Sequence, residues 1–347
     1  MNKGRSAVPP GAAGGPARHL PVLRERAIEA LAVKPGGLYL DATFGAGGYT
    51  QAILATEETR VIALDRDPSA IAAGAAVVAD FPGRLKLMQT RFGDLGEAAE
   101  AASLGAFDGI VLDIGVSSLQ LDKAERGFSF RFDGPLDMRM EKSGRSAADL
   151  INEADEVHLA DILFHYGEER LARKIARAIV SDRKSTPFTS TKALADLVGR
   201  IVPHKPTDIH PATRTFQALR IAVNDELGEL VRALKSAERV LKAENRLVVV
   251  TFHSLEDRIA KQFFATRSGR GRAASRLLPG EIAPAEPTFI VPDRQPILPD
   301  ATEIAANPRA RSAKLRFGIR TSAPPQEPDT ALRKLASLPD RARSGRR

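Results

Sequence analysis

The sequence predicts an α/β protein, a doubly wound and mostly parallel sheet with a helical domain inserted into it. Three observations predict this. Short apolar runs bounded by Gly, Asp or Pro recur along the chain, Ala-rich helical stretches separate most of them, and the alternation stops after Asp113 to resume only near Phe216.

The first run, "GLYLD" (37–41), leads into "DATFGAGGYT", an acid followed by glycines and an apolar helix. The second, "RVIALD" (60–65), precedes the helical "PSAIAAGAAVVA". "LKLMQ" (85–89), "DGIVLD" (108–113) and "RLVVVTF" (246–252) complete the set. Apolar runs this short between breaker residues read as buried parallel strands. "AKLRFGIR", after a proline-rich crossover, is expected to pair antiparallel at the sheet edge. Between the fourth and fifth strands, "RSAADLINEADEVHLADILFHYGEERLARKIARAIVSDR" and "STKALADLVGRIVP" show helical periodicity and no strand. A helix from Ala212, "ATRTFQALRIAVNDELGELVRALKSAERVL", then leads back to the sheet. The expected division is a flexible leader (1–20), a sheet domain (21–125 and 212–320), a helical substrate-recognition insertion (126–211) and a disordered basic tail (321–347).

A chain of 347 residues with 43% hydrophobic content suits one large domain plus an insertion. It contains no cysteine, which excludes disulfides, thiolate zinc sites, iron–sulfur clusters and a cysteine nucleophile. The six histidines form no ligating motif, so no metal is expected. There is no run long and apolar enough to span a membrane, and the N-terminal stretch lacks the apolar centre of a secretory signal. A cytoplasmic protein is expected.

The formal net charge is +8, and it is clustered. "RSGRGRAASR" (267–276) and "NPRARSAKLRFGIR" (307–320) carry no acid, and Arg170, Lys174 and Arg177 share a helix face opposite Leu171, Ile175 and Ile179. A solvated basic face would explain any one stripe. Three together point to a polyanionic partner.

The glycine turn after the first strand decides the ligand. A dinucleotide fingerprint needs G-x-G-x-x-G, but counting from Gly45 the last position is Thr50. S-adenosylmethionine makes other demands: close backbone approach along its methionyl part, an acid after the second strand for the ribose hydroxyls, and adenine contacts after the third. Asp41 with Gly45, Gly47 and Gly48 meets the first, Asp65 the second, and Phe92 with Asp94 the third. Separately these have structural readings, a tight turn and a helix cap. Their order on successive strands favours the cofactor. Without cysteine, methylation of a pyrimidine C5 through a covalent adduct and cluster-based radical chemistry are excluded, which leaves transfer to nitrogen or oxygen.

"VLDIGVSSLQLD" (111–122) stands where amino-group methyltransferases carry an acid, two prolines and an aromatic. Asp113 keeps the acid and Ile114 offers a carbonyl, while the prolines and aromatic are missing. An exocyclic amine needs such acceptors because its lone pair is delocalised into the ring. Asp113 is alternatively a structural acid ending a buried strand. In "GFSFRFDGPLDMRM" (127–140), Phe128, Phe130 and Phe132 alternate and would share one face, as core or as a base-stacking surface. In "TFHSLEDR" (251–258), Ser254 and Asp257 fit a capping box, and His253 lies just outside it, free for substrate or for a structural bond.

Taken in order, "DATFGAGGYT", "ALDRDP", "RF", "VLDIGVSSLQLD", "GFSFRFDGPLDMRM", "TFHSLEDR" and "NPRARSAKLR" resemble the bacterial small-subunit ribosomal RNA cytosine-N4 methyltransferases, the MraW family, from about Pro21 to Arg320. The resemblance implies a class I (Rossmann-like) methyltransferase sheet with an inserted helical domain. It also implies S-adenosylmethionine as donor and N4 of a decoding-region cytidine in 16S rRNA, within the small ribosomal subunit, as acceptor. By motif position, cofactor contacts would fall on Gly47, Gly48, Tyr49, Asp65, Phe92, Asp113 and Gln120, while the reading of the strand ends makes Asp113 and His253 the catalytic candidates. Tyr49 is a local departure, since the family often has histidine there. Asp113 is open to two roles, cofactor contact and catalytic acceptor. A homodimer is allowed. The rival readings are a methyltransferase with a non-RNA acceptor and a small-subunit assembly factor that keeps the fold without catalysis.

Overall fold

The structure is a computed structural model that describes residues 21–101, 106–205, 210–270, 285–327 and 329–339. The leader (1–20), the end of the arginine-rich loop (271–276) and the last residues of the tail (340–347) lie outside the described residues.

The strands form where the apolar runs place them: β1 (Leu38–Asp41), β2 (Arg60–Asp65), β3 (Leu85–Gln89), β4 (Phe107–Asp113) and β5 (Leu241–Thr251), joined by β6 (Phe289–Ile290) and β7 (Lys314–Arg320). They make one seven-stranded sheet in the order β3-β2-β1-β4-β5-β7-β6. Strands β1 to β5 pair in parallel, and β7 runs antiparallel between β5 and β6. The expected antiparallel strand is therefore present but is not the edge, because the short β6 covers its outer side. Chain order reverses between β1 and β4, which opens the crevice at their carboxyl ends where doubly wound proteins bind ligands.

Alternate residues of each strand enter opposite cores. Leu40, Ile62, Leu64, Ile110, Leu112, Leu247 and Val249 pack against α4 (Leu95–Ala101), α11 (Glu226–Val240) and α12 (Ser254–Arg267). Tyr39, Val61, Ala63, Val111, Val248 and Val250 face α1 (Arg24–Leu31), α2 (Gly48–Leu54) and α3 (Pro68–Asp80). Burial on both sides explains why these strands read as continuous apolar runs rather than alternating ones.

After β4 and the short α5 (Ser118–Leu121) come α6 (Ala147–Glu153), α7 (Glu156–His165), α8 (Ala172–Asp182) and α9 (Thr191–Ile201), which build a separate apolar core. Ser146, Asp155 and Ser190 cap three of these helices through their side chains. On α8 and the turn before it, Ile175 and Ile179 are buried while Arg170, Lys174 and Arg177 are exposed, as the periodicity requires.

Two expectations need correction. The long helix from Ala212 is really two, α10 (Ala212–Asn224) and α11, broken at Asp225 with φ 51°. The break frees Asn224 to bond the backbone of Met138 and Met140 at 2.8 and 2.9 Å. Helix α10 does not return directly to the sheet; Ala212, Phe216, Ala218 and Leu219 join the helical core beside α6, α7 and α9. The tail is not wholly disordered either. After α13 (Ala301–Ala306) and β7, helix α14 (Thr330–Ala336) buries Leu332 and Ala336, one turn apart, against the sheet domain, and the Tyr166 hydroxyl donates to the Ala336 carbonyl at 3.0 Å. Two apolar side chains on one helix face dock a segment whose composition alone reads as disordered.

Candidate functional site

The carboxyl ends of β1 and β2 form a cradle from the chain's own hydrogen bonds. Asp41 accepts from Thr43 N–H at 3.1 Å and from the Thr50 hydroxyl at 2.7 Å, and burial pushes its carboxyl up against these bonds. Asp65 accepts from the N–H groups of Gly45 and Asp67, both at 2.8 Å. Burial raises its pKa to about 6 even so. Each carboxylate oxygen retains acceptor capacity beyond these bonds, which suits a vicinal diol.

Gly47 holds φ 79°, and a Cβ on it would stand 2.9 Å from the Phe44 ring. A Cβ on Gly48 would meet the Pro21 ring at 2.1 Å. Both glycines are thus required by close contact within the chain as well as by any ligand. The Tyr49 side chain is buried, its hydroxyl donating to the Val22 carbonyl, so only its backbone at the start of α2 faces the turn. The substitution of a histidine-like position by tyrosine therefore falls in the core.

Phe92 opens a 3-10 turn, with one side on the sheet core and the rest half-exposed. Gln120 is buried: its amide N–H donates to Asp67 Oδ2 at 2.9 Å while its carbonyl accepts from Ser117 N–H at 3.2 Å. Asp67 also receives Arg126 at 2.7 Å, and Arg126 reaches the carbonyls of Arg139 and Met140 at 3.0 Å. Gln120 therefore joins the loop after β4, the start of α3 and the entry to the helical region. Sequence reasoning missed Arg126, since a buried arginine looks no different from a solvated one in the chain.

Asp113 is different in kind. Its N–H is fixed by the Thr43 hydroxyl at 2.7 Å, but its carboxylate Oδ1 is buried with no hydrogen-bond partner. Burial, then the charges of Asp41 and Glu256, push its carboxyl well above the usual range. A buried acceptor in a negative field is matched by a cation. S-adenosylmethionine, with its sulfonium and ammonium charges, meets that requirement, and the cradle at Asp65 offers acceptors for its ribose.

His253 corrects the sequence reading of the fifth-strand motif. The cap of α12 is His253 itself, paired with Glu256, and not Ser254 with Asp257. Glu256 Oε2 accepts from the N–H groups of Phe252 and His253 at 2.8 and 3.2 Å. "HSLE" and "SLED" overlap by one residue, and the structure selects the first. Asp257 instead pairs with Arg316 and Lys314 on β7, and the Ser254 hydroxyl donates to Glu168 at 2.7 Å. His253 Nε2 lies 2.9 Å from Glu256 Oε1, yet neither atom has an aligned hydrogen bond. Burial raises the Glu256 carboxyl, but His253, Arg220 and the Phe252 N–H outweigh it and hold it below the usual range. Atoms of Glu226, His253 and Glu256 come within 4.8 Å of one another. Arg220 already grips both oxygens of Glu226 at 2.8 Å and supplies positive charge there, so Glu226 is engaged in a buried ion pair.

The three phenylalanines do not share a face. Phe128 is buried in the helical core, Phe130 is half-buried, and Phe132 is 67% exposed.

Comparison with known proteins follows the same lines. The chain is 64% identical to ribosomal RNA small subunit methyltransferase H of Methylocella silvestris over all of both chains. It is 65% identical to the protein of that name from Beijerinckia indica, over 98% of this chain and 96% of the relative. Among solved structures, an rRNA methylase from Streptococcus thermophilus is 9% identical over 86% of this chain and 94% of that one, with a TM-score of 0.39, too distant to bear on function. Residues 16–320 match the MraW methylase family. The match takes in the cradle, Asp113, the helical insertion and β7, the whole carboxyl edge of the sheet, and the chain belongs to the MraW methylase family.

Proposed function

We propose that this protein transfers a methyl group from S-adenosylmethionine to the N4 amino group of a cytidine in the decoding region of 16S rRNA, on the small ribosomal subunit in the cytoplasm. The observation that carries the reading is the buried, unpartnered Oδ1 of Asp113 at the switch point of the sheet, in the field of Asp41 and Glu256. The family and the names of the full-length relatives, ribosomal RNA small subunit methyltransferases, support the substrate.

When bound, S-adenosylmethionine supplies an electrophilic methyl. The chain does the rest. Asp65 accepts from ribose hydroxyls, the turn at Gly47 and Gly48 brings backbone close to the methionyl part, and Phe92 covers the adenine side. Tyr49 contributes through its backbone, and Gln120 positions Asp67 and the loop after β4. Asp113, beside the cofactor's methionyl end, also accepts an N–H of the target amine, which returns electron density to that nitrogen, and the Ile114 carbonyl is the second acceptor. His253, held by Glu256, lies beside this point and contacts substrate. The sheet domain (21–125 and 212–320) performs the transfer, while the helical region (126–211, extended by α10) recognises RNA with its basic face. The relatives' names say nothing of a dimer, and a homodimer gains no support. Among the described residues no helix is long and apolar enough to cross a membrane.

The test is methyl transfer from labelled S-adenosylmethionine to small ribosomal subunits lacking their native methylations, with mass mapping of the nucleoside. Methyl on cytidine N4 is expected, and activity should fall steeply with salt as phosphate contacts release counterions. Donor binding without transfer to subunits or free RNA would move the acceptor elsewhere. Calorimetry showing a folded protein indifferent to the donor would favour a non-catalytic assembly factor.

A further inference from the structure

A row of rings beside the catalytic edge has no part in the chemistry proposed above. Phe216, buried on α10, meets Phe130 edge-on, with centroids 4.9 Å apart at 71°. Phe130 lies against His210 at 4.5 Å and 34°, and His210 is followed by His204 at 5.9 Å and 49°. Phe216 is buried, Phe130 half-buried and both histidines exposed, so the row climbs from the helical core to the surface.

Its position is fixed by neighbours on both sides. Val116 and Leu121, from the loop that follows Asp113, pack on the same core as Phe130. Arg214, one turn beyond His210, donates to the Glu168 carbonyl at 3.5 Å, and the Glu168 carboxylate holds Ser254 and Arg258, next to His253. The rings therefore stand on the core that also receives the loop after β4, and the Arg214 beyond them reaches Glu168, which holds the start of α12. His210 Nδ1 accepts from Ala212 N–H at 3.2 Å, which anchors the imidazole. Arg131 and Arg214 are exposed on the same segments.

Core formation accounts for Phe216 and for one side of Phe130. It does not account for a row of rings, tilted to one another by 34° and 49°, that continues outward through two exposed imidazoles beside arginines. Aromatic faces in series next to cations are how proteins take unpaired bases, which offer π-surfaces that a duplex keeps stacked inside. We infer that Phe130, His210 and His204 form a stacking platform for single-stranded RNA next to the cytidine being methylated. The inference rests on the RNA substrate proposed above and deepens it: the acceptor is an unpaired segment, held by its base faces.

The test uses the full chain and a fluorescently labelled single-stranded oligocytidylate, with the same sequence annealed into a duplex as control. In the double variant His204→Ala/His210→Ala, affinity for the single strand and KM for hypomethylated small subunits should each worsen roughly tenfold or more, from the stacking lost per base. Duplex affinity and calorimetric binding of S-adenosylmethionine should be unchanged, the latter showing that the fold is intact. His210→Phe, which keeps a ring, should recover most of the loss, and Phe130→Leu, which keeps an apolar side chain but not the π-face, should weaken single-strand affinity without changing calorimetric binding of S-adenosylmethionine. Unchanged single-strand affinity and KM in the double variant, while the unsubstituted protein methylates subunits, would overturn the platform and leave the function standing. Equal losses for single strand and duplex would overturn it too, in favour of charge contacts alone. An unsubstituted protein that neither binds oligonucleotide nor methylates subunits would remove the RNA reading and the platform together.

Discussion

The two halves of the sheet's carboxyl edge treat charge in opposite ways. At β1 and β2, Asp41, Asp65 and Asp67 are tied to N–H and O–H groups of the chain itself. At β4 and β5, Asp113 Oδ1, His253 Nε2 and Glu256 Oε1 are buried without an aligned partner. An unsatisfied buried polar atom costs about 1–3 kcal/mol. Among these acids and the histidine the cost falls at β4 and β5. Glu229 on α11, a further buried carboxylate without an aligned hydrogen bond, has the Arg66 guanidinium at 2.7 Å to offset it. The β1–β2 acids thus form a cradle set in advance, while the β4–β5 groups stand ready for something that arrives.

The substitution that probes this contrast hardest is Asp113→Asn. It keeps the shape and removes the charge. Turnover should fall by about 10²–10⁴-fold, the range for loss of a positioned proton acceptor, while donor affinity measured by calorimetry changes far less. Equal losses in both would assign Asp113 to cofactor binding alone. Stability should move the other way. The folded pKa is raised, so this group favours folding only at low pH and loses that contribution as pH rises through the folded value. At neutral pH the asparagine variant should melt higher, and a lower Tm would show that the carboxylate is satisfied after all.

On the cradle half the expected effect is smaller and appears in binding. Asp65 has a pKa raised to about 6, so its carboxylate form dominates at neutral pH and gives way below that value. Affinity for S-adenosylmethionine should decline as pH drops through about 6. Asp65→Asn should weaken binding roughly tenfold at neutral pH, the loss of hydrogen bonds to a charged acceptor, and flatten the pH dependence. Titration calorimetry across that range decides it. An unaltered slope in the variant would place the titrating group elsewhere, with Asp41 the next to replace.

This contrast was only partly legible in the sequence. The strands were, because burial on both faces demands uninterrupted apolar runs, and the acids ending them locate the edge. The helical insertion was visible by periodicity, and so was its basic face at Arg170, Lys174 and Arg177. What the chain hides is long-range pairing. Nothing near Asp225 announces a left-handed residue, since that break serves Asn224 in reaching Met138 and Met140, more than eighty positions away. Phe128, Phe130 and Phe132 alternate like a strand, but the segment is irregular and sends them to core, rim and solvent. Leu332 and Ala336 are too few to stand out in a polar tail, yet they suffice once a groove exists to receive them.

The finest division of the edge runs through His253, which caps a helix and also stands among the unsatisfied groups. His253→Asn separates the two functions, because asparagine is a good cap acceptor without an imidazole. Its stability should change by less than the roughly 1 kcal/mol that loss of a cap costs, and His253→Ala should show that full cost as a lower Tm. If turnover falls equally in both variants while only alanine lowers Tm, the ring itself meets the substrate. If asparagine restores turnover along with Tm, His253 serves the helix, and the catalytic half of the edge contracts to Asp113 with Glu256 as its electrostatic neighbour. The first outcome is expected, since the N–H of Glu256 engages Nδ1 and leaves Nε2 buried without an aligned bond, on the edge where we propose that the target amine binds.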